Sequence, residues 1–103
     1  NRERRDLALA SFRRALQIDP GHAEANLNLG SMLEGEGRDA QALRHYRAAL
    51  ERAPELADAH LSLALLSEKR SLPRAARAHW RSYLRLEPSG AWADLARERL
   101  EPS

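Results

Sequence analysis

The sequence predicts an all-α chain, an α-solenoid of stacked antiparallel helix pairs, on three observations. The first is a repeat. Shifted by 34 residues against itself, the chain aligns Pro20 with Pro54 and Pro88, Ala8 with Ala42 and Ala76, and Phe12 with Tyr46 and Trp80. Leu16, Leu50 and Leu84 fall on one register at the same offset, and so do Leu27, Leu61 and Leu95. So many matches at a single shift mark one structural unit written several times. The second is composition: aromatic residues make up only 5% while alanine and leucine abound, a bias that suits helices better than sheets. The third is punctuation, because glycine and proline fall between segments whose apolar residues recur at helical spacing.

The elements follow in order along a single domain of 103 residues. Residues 4–19 read as the second helix of a repeat whose first helix is absent, and the opening NRERRDLA reads as internal to a longer protein. A full repeat spans 23–54. Its first helix, 23–35, is expected to bury Asn26, Leu29, Gly30 and Leu33, and its second, 39–52, to bury Ala42, Tyr46, Ala49 and Leu50. Between them GEGRD supplies turn glycines, and Pro54 ends the second helix because it lacks an amide hydrogen. A second full repeat spans 57–88, where Ser71 is expected to cap the start of the second helix and Pro73 to fit its first turn. Residues 91–100 form one more first-type helix. Arg97 and Glu98 replace the apolar or small residues of earlier periods there, so it reads as a C-terminal capping helix with a solvated outer face.

In this pattern the chain resembles the tetratricopeptide repeat family. The family's ordered signature falls on Asn26, Leu29, Gly30, Leu33, Ala42, Tyr46, Ala49 and Pro54, and again on His60, Leu63, Ala64, Ser67, Ala76, Trp80, Tyr83 and Pro88. The resemblance covers nearly the whole chain. It implies a superhelix whose first helices line a concave groove that holds a segment of a partner protein.

Catalysis finds no support in the residues. Ser31, Ser62 and Ser67 lack a glycine-rich nucleophile elbow, and no phosphate-cradling loop precedes a helix. His45 and His79 share a repeat position without carboxylates at ligand spacing, and they read as partly exposed helix histidines, so no metal site is expected. With no cysteine, disulfides and thiolate chemistry are excluded. No cofactor and no enzymatic activity are expected. No apolar run approaches the roughly 20 residues needed to cross a bilayer and no signal peptide opens the chain, so no membrane partner is expected and the cytoplasm is the favoured location.

What remains is a surface. By the family resemblance, the groove is expected to present Glu24, Leu27, Asn28 and Ser31 from the first repeat. The second repeat adds Asp58, Leu61, Ser62 and Leu65, and the last helix adds Trp92 and Leu95. Leu27, Leu61 and Leu95 either contact a ligand or pack sideways against neighbouring helices. Trp92 either folds over the end of the last repeat or offers an aromatic wall. In some family members an asparagine at the position of Asn28 holds a ligand's backbone, but Ser62 and Ala96 break that series here. The family's carboxylate clamp is not present, because Leu27, Asp58, Ser62, Trp92 and Ala96, none of them basic, stand where its cations would be. Visible groove charges are Glu24, Glu34, Asp58 and Glu68, relieved by Lys69, so the expected ligand is an apolar segment of neutral to basic charge.

The function predicted from these readings is a protein-interaction scaffold that takes a peptide segment of a partner in the groove. Two alternatives stand beside it. One is nucleic-acid binding by the opposite, convex face, where Arg13, Arg47 and Arg81 fall in register with Arg44, Arg77 and Arg85 nearby. The formal charge of only +2 and the lack of exposed aromatics among those arginines make nucleic acid the unfavoured partner. The other is a self-association module of a larger enzyme or regulator, acting through the N-terminal edge that the truncated repeat leaves open.

Overall fold

The computed structural model describes residues 1–102, and among them six α-helices make up most of the chain. They fall into two units, the first Asn1–Pro54 and the second from Glu55 onward. The first holds α1 (Arg2–Ile18), α2 (Ala23–Gly35) and α3 (Asp39–Arg52), and the second holds α4 (Ala57–Lys69), α5 (Pro73–Leu86) and α6 (Ala91–Leu100). The class is an all-α helical repeat. In each unit the central pair, α2 with α3 or α4 with α5, is a tightly packed hairpin, with α1 laid on α2 and α6 laid on α5.

The repeat signature is a burial pattern. Asn26, Leu29, Gly30, Leu33, Ala42, Tyr46 and Ala49 are all buried in the first unit. Their counterparts His60, Leu63, Ala64, Ser67, Ala76, Trp80 and Tyr83 are all buried in the second. Small residues at the shared register let a large ring approach: Gly30 faces Tyr46 in one hairpin, and Ala64 packs with Trp80 in the other. A Cβ on Gly30 would meet the Tyr46 ring at 2.7 Å and 2.8 Å. A Gly30→Leu change is therefore expected to cost about 1–3 kcal/mol by overpacking, read as a fall in the urea midpoint.

Helix ends show how the turns are made. Asn1 Oδ1 accepts from the Arg4 amide at 3.0 Å, starting α1 slightly earlier than the sequence suggests, and His22 Nδ1 accepts from the Ala25 amide at 3.1 Å to start α2. Both hairpins turn by the same left-handed cap. In the first, Gly37 (φ 79°) donates to Glu34 O while Arg38 donates to Leu33 O. In the second, Ser71 (φ 58°) donates to Glu68 O while Leu72 donates to Ser67 O. This pairing satisfies carbonyls that the helix leaves orphaned.

Two sequence expectations are corrected here. Ser71 does not cap α5: the capping position is Leu72, which makes no side-chain bond, and Ser71 instead fills the left-handed position that Gly37 fills one period earlier. The start of α5 draws on Pro73 in its first turn. Leu50 is only half-buried, because the buried edge of α3 ends on Ala42, Tyr46 and Ala49. Since a Cβ in the left-handed region costs energy that glycine escapes, Ser71→Gly is expected to stabilise the chain by about 1 kcal/mol at most, measured by thermal unfolding.

Candidate functional site

The first helices of the two hairpins carry most of the residues that the sequence singles out. On α2, Glu24 and Ser31 are exposed while Leu27 and Asn28 are half-buried. Asn28 and Ser31 form one wall of a shallow depression of about 610 Å³ between α1 and α2, and Arg4, Arg5 and Phe12 form the other. The two arginines were not visible as neighbours of Asn28 in the sequence, because the contact joins segments more than twenty residues apart. Arg5 also reaches Glu36 at 3.8 Å, an exposed pair that contributes little.

In the second unit Asp58 is exposed and Ser62 is half-buried. Leu61, Leu65 and Leu95 are half-buried and pack against the cluster of Ala64, Ala76, Trp80 and Ala96, so part of each side chain covers the core. Trp92 stands 46% exposed at the start of α6. Its indole keeps a large face in solvent.

Two of the acids that the sequence counts as groove charges are committed inside their own hairpins. Glu34 Oε1 accepts from the Tyr46 hydroxyl at 2.8 Å. One period later, Glu68 Oε2 accepts from Trp80 Nε1 and from Arg99 Nε, each at 2.8 Å. A charged acceptor answering the one polar atom of a buried ring removes the penalty of burying it. Glu24 and Asp58 are left as the exposed acids of the candidate surface.

Below the surface each hairpin carries a polar pair at one register. Asn26 is 2% exposed, and its Nδ2 donates to Pro20 O and His22 O, both at 3.1 Å. That orientation turns Oδ1 toward His45 Nδ1, 2.9 Å away, so the imidazole carries its proton on Nδ1 and leaves Nε2 bare. In the second unit the same register holds His60 Nδ1 and His79 Nδ1, 3.1 Å apart. Sequence reasoning missed both pairs, although the matched separations 26 to 45 and 60 to 79 were a signal that could have found them.

Burial, helped by the neighbouring Arg44 charge, holds the His45 pKa below the ordinary imidazole value of 6.5. The folded state thus resists a proton that the unfolded chain accepts. The stability linked to His45 is complete above about pH 6.5 and is lost as the pH falls toward the lowered folded value. Acidification from pH 7.5 to 5 is expected to lower the unfolding temperature more in the native chain than in His45→Gln, whose amide can still donate to Asn26.

A second electrostatic contact closes the first unit. Arg52 at the end of α3 donates from Nη1 to Asp19 Oδ2 at 3.0 Å and from Nη2 to Asp19 Oδ1 at 2.9 Å. The guanidinium bond to Asp19 holds this carboxyl below the usual carboxylate range, in spite of some desolvation, and the Gly21 amide assists. Both side chains remain in water, so the clasp orients the turn before α2 more than it stabilises it.

The arginines of the second helices divide. Arg13, Arg44, Arg47, Arg81 and Arg85 are exposed, whereas Arg77 is half-buried and donates to Arg99 O at 3.4 Å and Leu100 O at 3.2 Å. It satisfies the last carbonyls of α6, and Arg99 in turn reaches Glu68, so both ends of the contact fix α6 to its own hairpin. Arg97, set where earlier periods have leucine, is exposed and binds Asp94 at 3.1 Å and the Pro88 carbonyl. Among the described residues no helix is long and apolar enough to cross a membrane.

Comparison with known families agrees with this geometry. Residues 23–56, the period that contains α2, α3 and the turn that follows, match the family model of the tetratricopeptide repeat. No curated protein matches the chain.

Proposed function

We propose that this chain, whose residues 23–56 are a tetratricopeptide repeat, is a non-catalytic scaffold that binds a peptide segment of a partner protein on the first-helix faces of its repeats. Repeats of this family mediate protein–protein interaction. The observation that carries the finer reading is the side-chain chemistry of α2, α4 and α6. Leu27, Leu61, Leu65 and Leu95 are half-buried apolar groups, and Trp92 stands more open. Asn28, Ser31 and Ser62 supply hydrogen-bonding groups beside them, and Glu24 and Asp58 supply exposed negative charge. An amide such as Asn28 can donate to one backbone group and accept from another, whatever the ligand's side chains. Each unit is read separately: the first takes an apolar stretch with basic residues set toward Glu24 and away from Arg4 and Arg5, and the second an apolar stretch with basic residues set toward Asp58.

A peptide array of mixed charge tests this. Apolar-to-basic peptides are expected to be retained by the native chain and lost by the Glu24→Arg, Asp58→Arg double variant, both changes lying at exposed positions that leave the core intact. Selection of acidic peptides by the native chain would overturn the reading. Leucine-to-aspartate variants are poorer probes, because Leu61, Leu65 and Leu95 also cover the core.

Self-association is a second reading with an observation of its own. α1 buries none of its residues, and Leu7 and Ile18 are 70% and 78% exposed. A second copy packing there would cover them, and sedimentation of the native chain against Leu7→Lys, Ile18→Lys distinguishes a dimer through α1 from a monomer. Nucleic-acid binding is less supported, since Arg77 is occupied by the carbonyls of α6.

A further inference from the structure

We propose that the cleft of the first unit where α1, α2 and α3 meet is a binding site for a small apolar monocarboxylic acid. The cleft holds about 410 Å³, within the roughly 300–1,000 Å³ of small-molecule sites. Leu16 of α1 and Leu29 and Leu33 of α2 supply its apolar floor, and Arg13, Gln17 and Gln41 bring one guanidinium and two amides to its rim. None of these residues belongs to the first-helix surface proposed above, so the two readings are tested separately.

The chemistry of the lining selects the ligand. Leu29 and Leu33 are each 5% exposed and Leu16 is half-buried, so an apolar tail laid over them removes their remaining contact with water. The three polar side chains of the rim are exposed, and among the described residues none is engaged by another side chain or by a carbonyl. Arg13 can donate to both oxygens of a carboxylate through a forked pair of hydrogen bonds, and the amide of Gln17 or Gln41 can donate to either oxygen. His45 lines the α3 side with its Nδ1 turned to Asn26 Oδ1. Its imidazole is uncharged at pH 7.5, because burial, helped by Arg44, holds its pKa below 6.5. A lining with one cation and no acid suits a single negative charge, not a phosphate or a dicarboxylate.

The repeat shows that the fold does not require this set of side chains. Thirty-four residues on, Leu50 and Leu63 keep the places of Leu16 and Leu29, and Arg47 keeps that of Arg13. Both amides are replaced there, Gln17 by Glu51 and Gln41 by Ala75, and Ser67 stands for Leu33. The change from Gln17 to Glu51 sets a carboxylate where the head of the ligand would lie, and the change from Leu33 to Ser67 shortens the apolar floor. The combination that suits an apolar acid belongs to the first period.

Titration of the whole chain, ¹³C-labelled on its leucine methyl groups, with sodium octanoate at pH 7.5 tests the site. Saturable shifts at Leu16, Leu29 and Leu33 are expected, with a Kd on the order of 1 mM. Octylammonium chloride, an aliphatic chain of the opposite charge, is expected to bind at least tenfold more weakly. Arg13→Gln and Gln17→Glu, both at exposed positions, are each expected to weaken octanoate binding at least fivefold, while Arg81→Gln leaves it unchanged. Equal affinity for octanoate and octylammonium, equal octanoate affinity in the native chain and Arg13→Gln, or the lack of saturable shifts at the three leucines would each overturn the proposal.

Discussion

Trp80→Ala is expected to cost about 3–5 kcal/mol, the range for removing a fully buried large aromatic side chain. Trp80 has no exposed surface and packs with Ala64, Ala76 and Ala96, so α4, α5 and α6 all lose a contact when it is cut away. The alanines around it cannot grow to fill the space. The loss is electrostatic as well, since Glu68 would keep Arg99 but lose the indole N–H that now lies 2.8 Å from Oε2. Urea denaturation followed by far-ultraviolet circular dichroism reads the effect without relying on the missing fluorophore. Trp80→Phe, which keeps a ring and loses only the N–H and part of the volume, is expected to cost less than half as much.

Asn26→Ala is expected to cost about 1–3 kcal/mol for a different reason. The side chain is small, but its amide answers Pro20 O, His22 O and His45 Nδ1 together, within a 2% exposed site. Alanine would leave the His45 N–H and two carbonyls without those partners. Asn26→His, which copies the second unit, is expected to recover part of the loss by giving His45 a nitrogen acceptor. Equilibrium denaturation of the three chains at pH 7.5 gives the order native, Asn26→His, Asn26→Ala.

The period, the helical class and the buried set apart from Leu50 were legible because they are carried by spacing along the chain. A residue such as Leu29 or Ala42 needs only its helical phase to be placed, and the match at 34 residues supplies that phase twice. Ser71 was harder. A serine before a helix ordinarily caps it, and only the alignment with Gly37 reveals that this one occupies a left-handed turn position. Long, flexible side chains were the least legible. Arg77 reads as one more surface arginine until the last carbonyls of α6 are set beside it, and Glu34 and Glu68 read as free charges until Tyr46 and Trp80 point at them. The same limit hid Arg4 and Arg5 beside Asn28 and Ser31. The helices that carry the candidate residues were legible from the period, while the charge around them depended on neighbours that the sequence does not put side by side.

Amide chemical-shift mapping with an array-selected peptide, on uniformly ¹⁵N-labelled chain, tests most directly whether the repeats offer their first-helix faces to a partner. Shifts concentrated at Leu27, Asn28, Ser31, Asp58, Leu61, Ser62 and Trp92 are the predicted result. Shifts confined to Arg13, Arg44, Arg47, Arg81 and their neighbours on the second helices would contradict it.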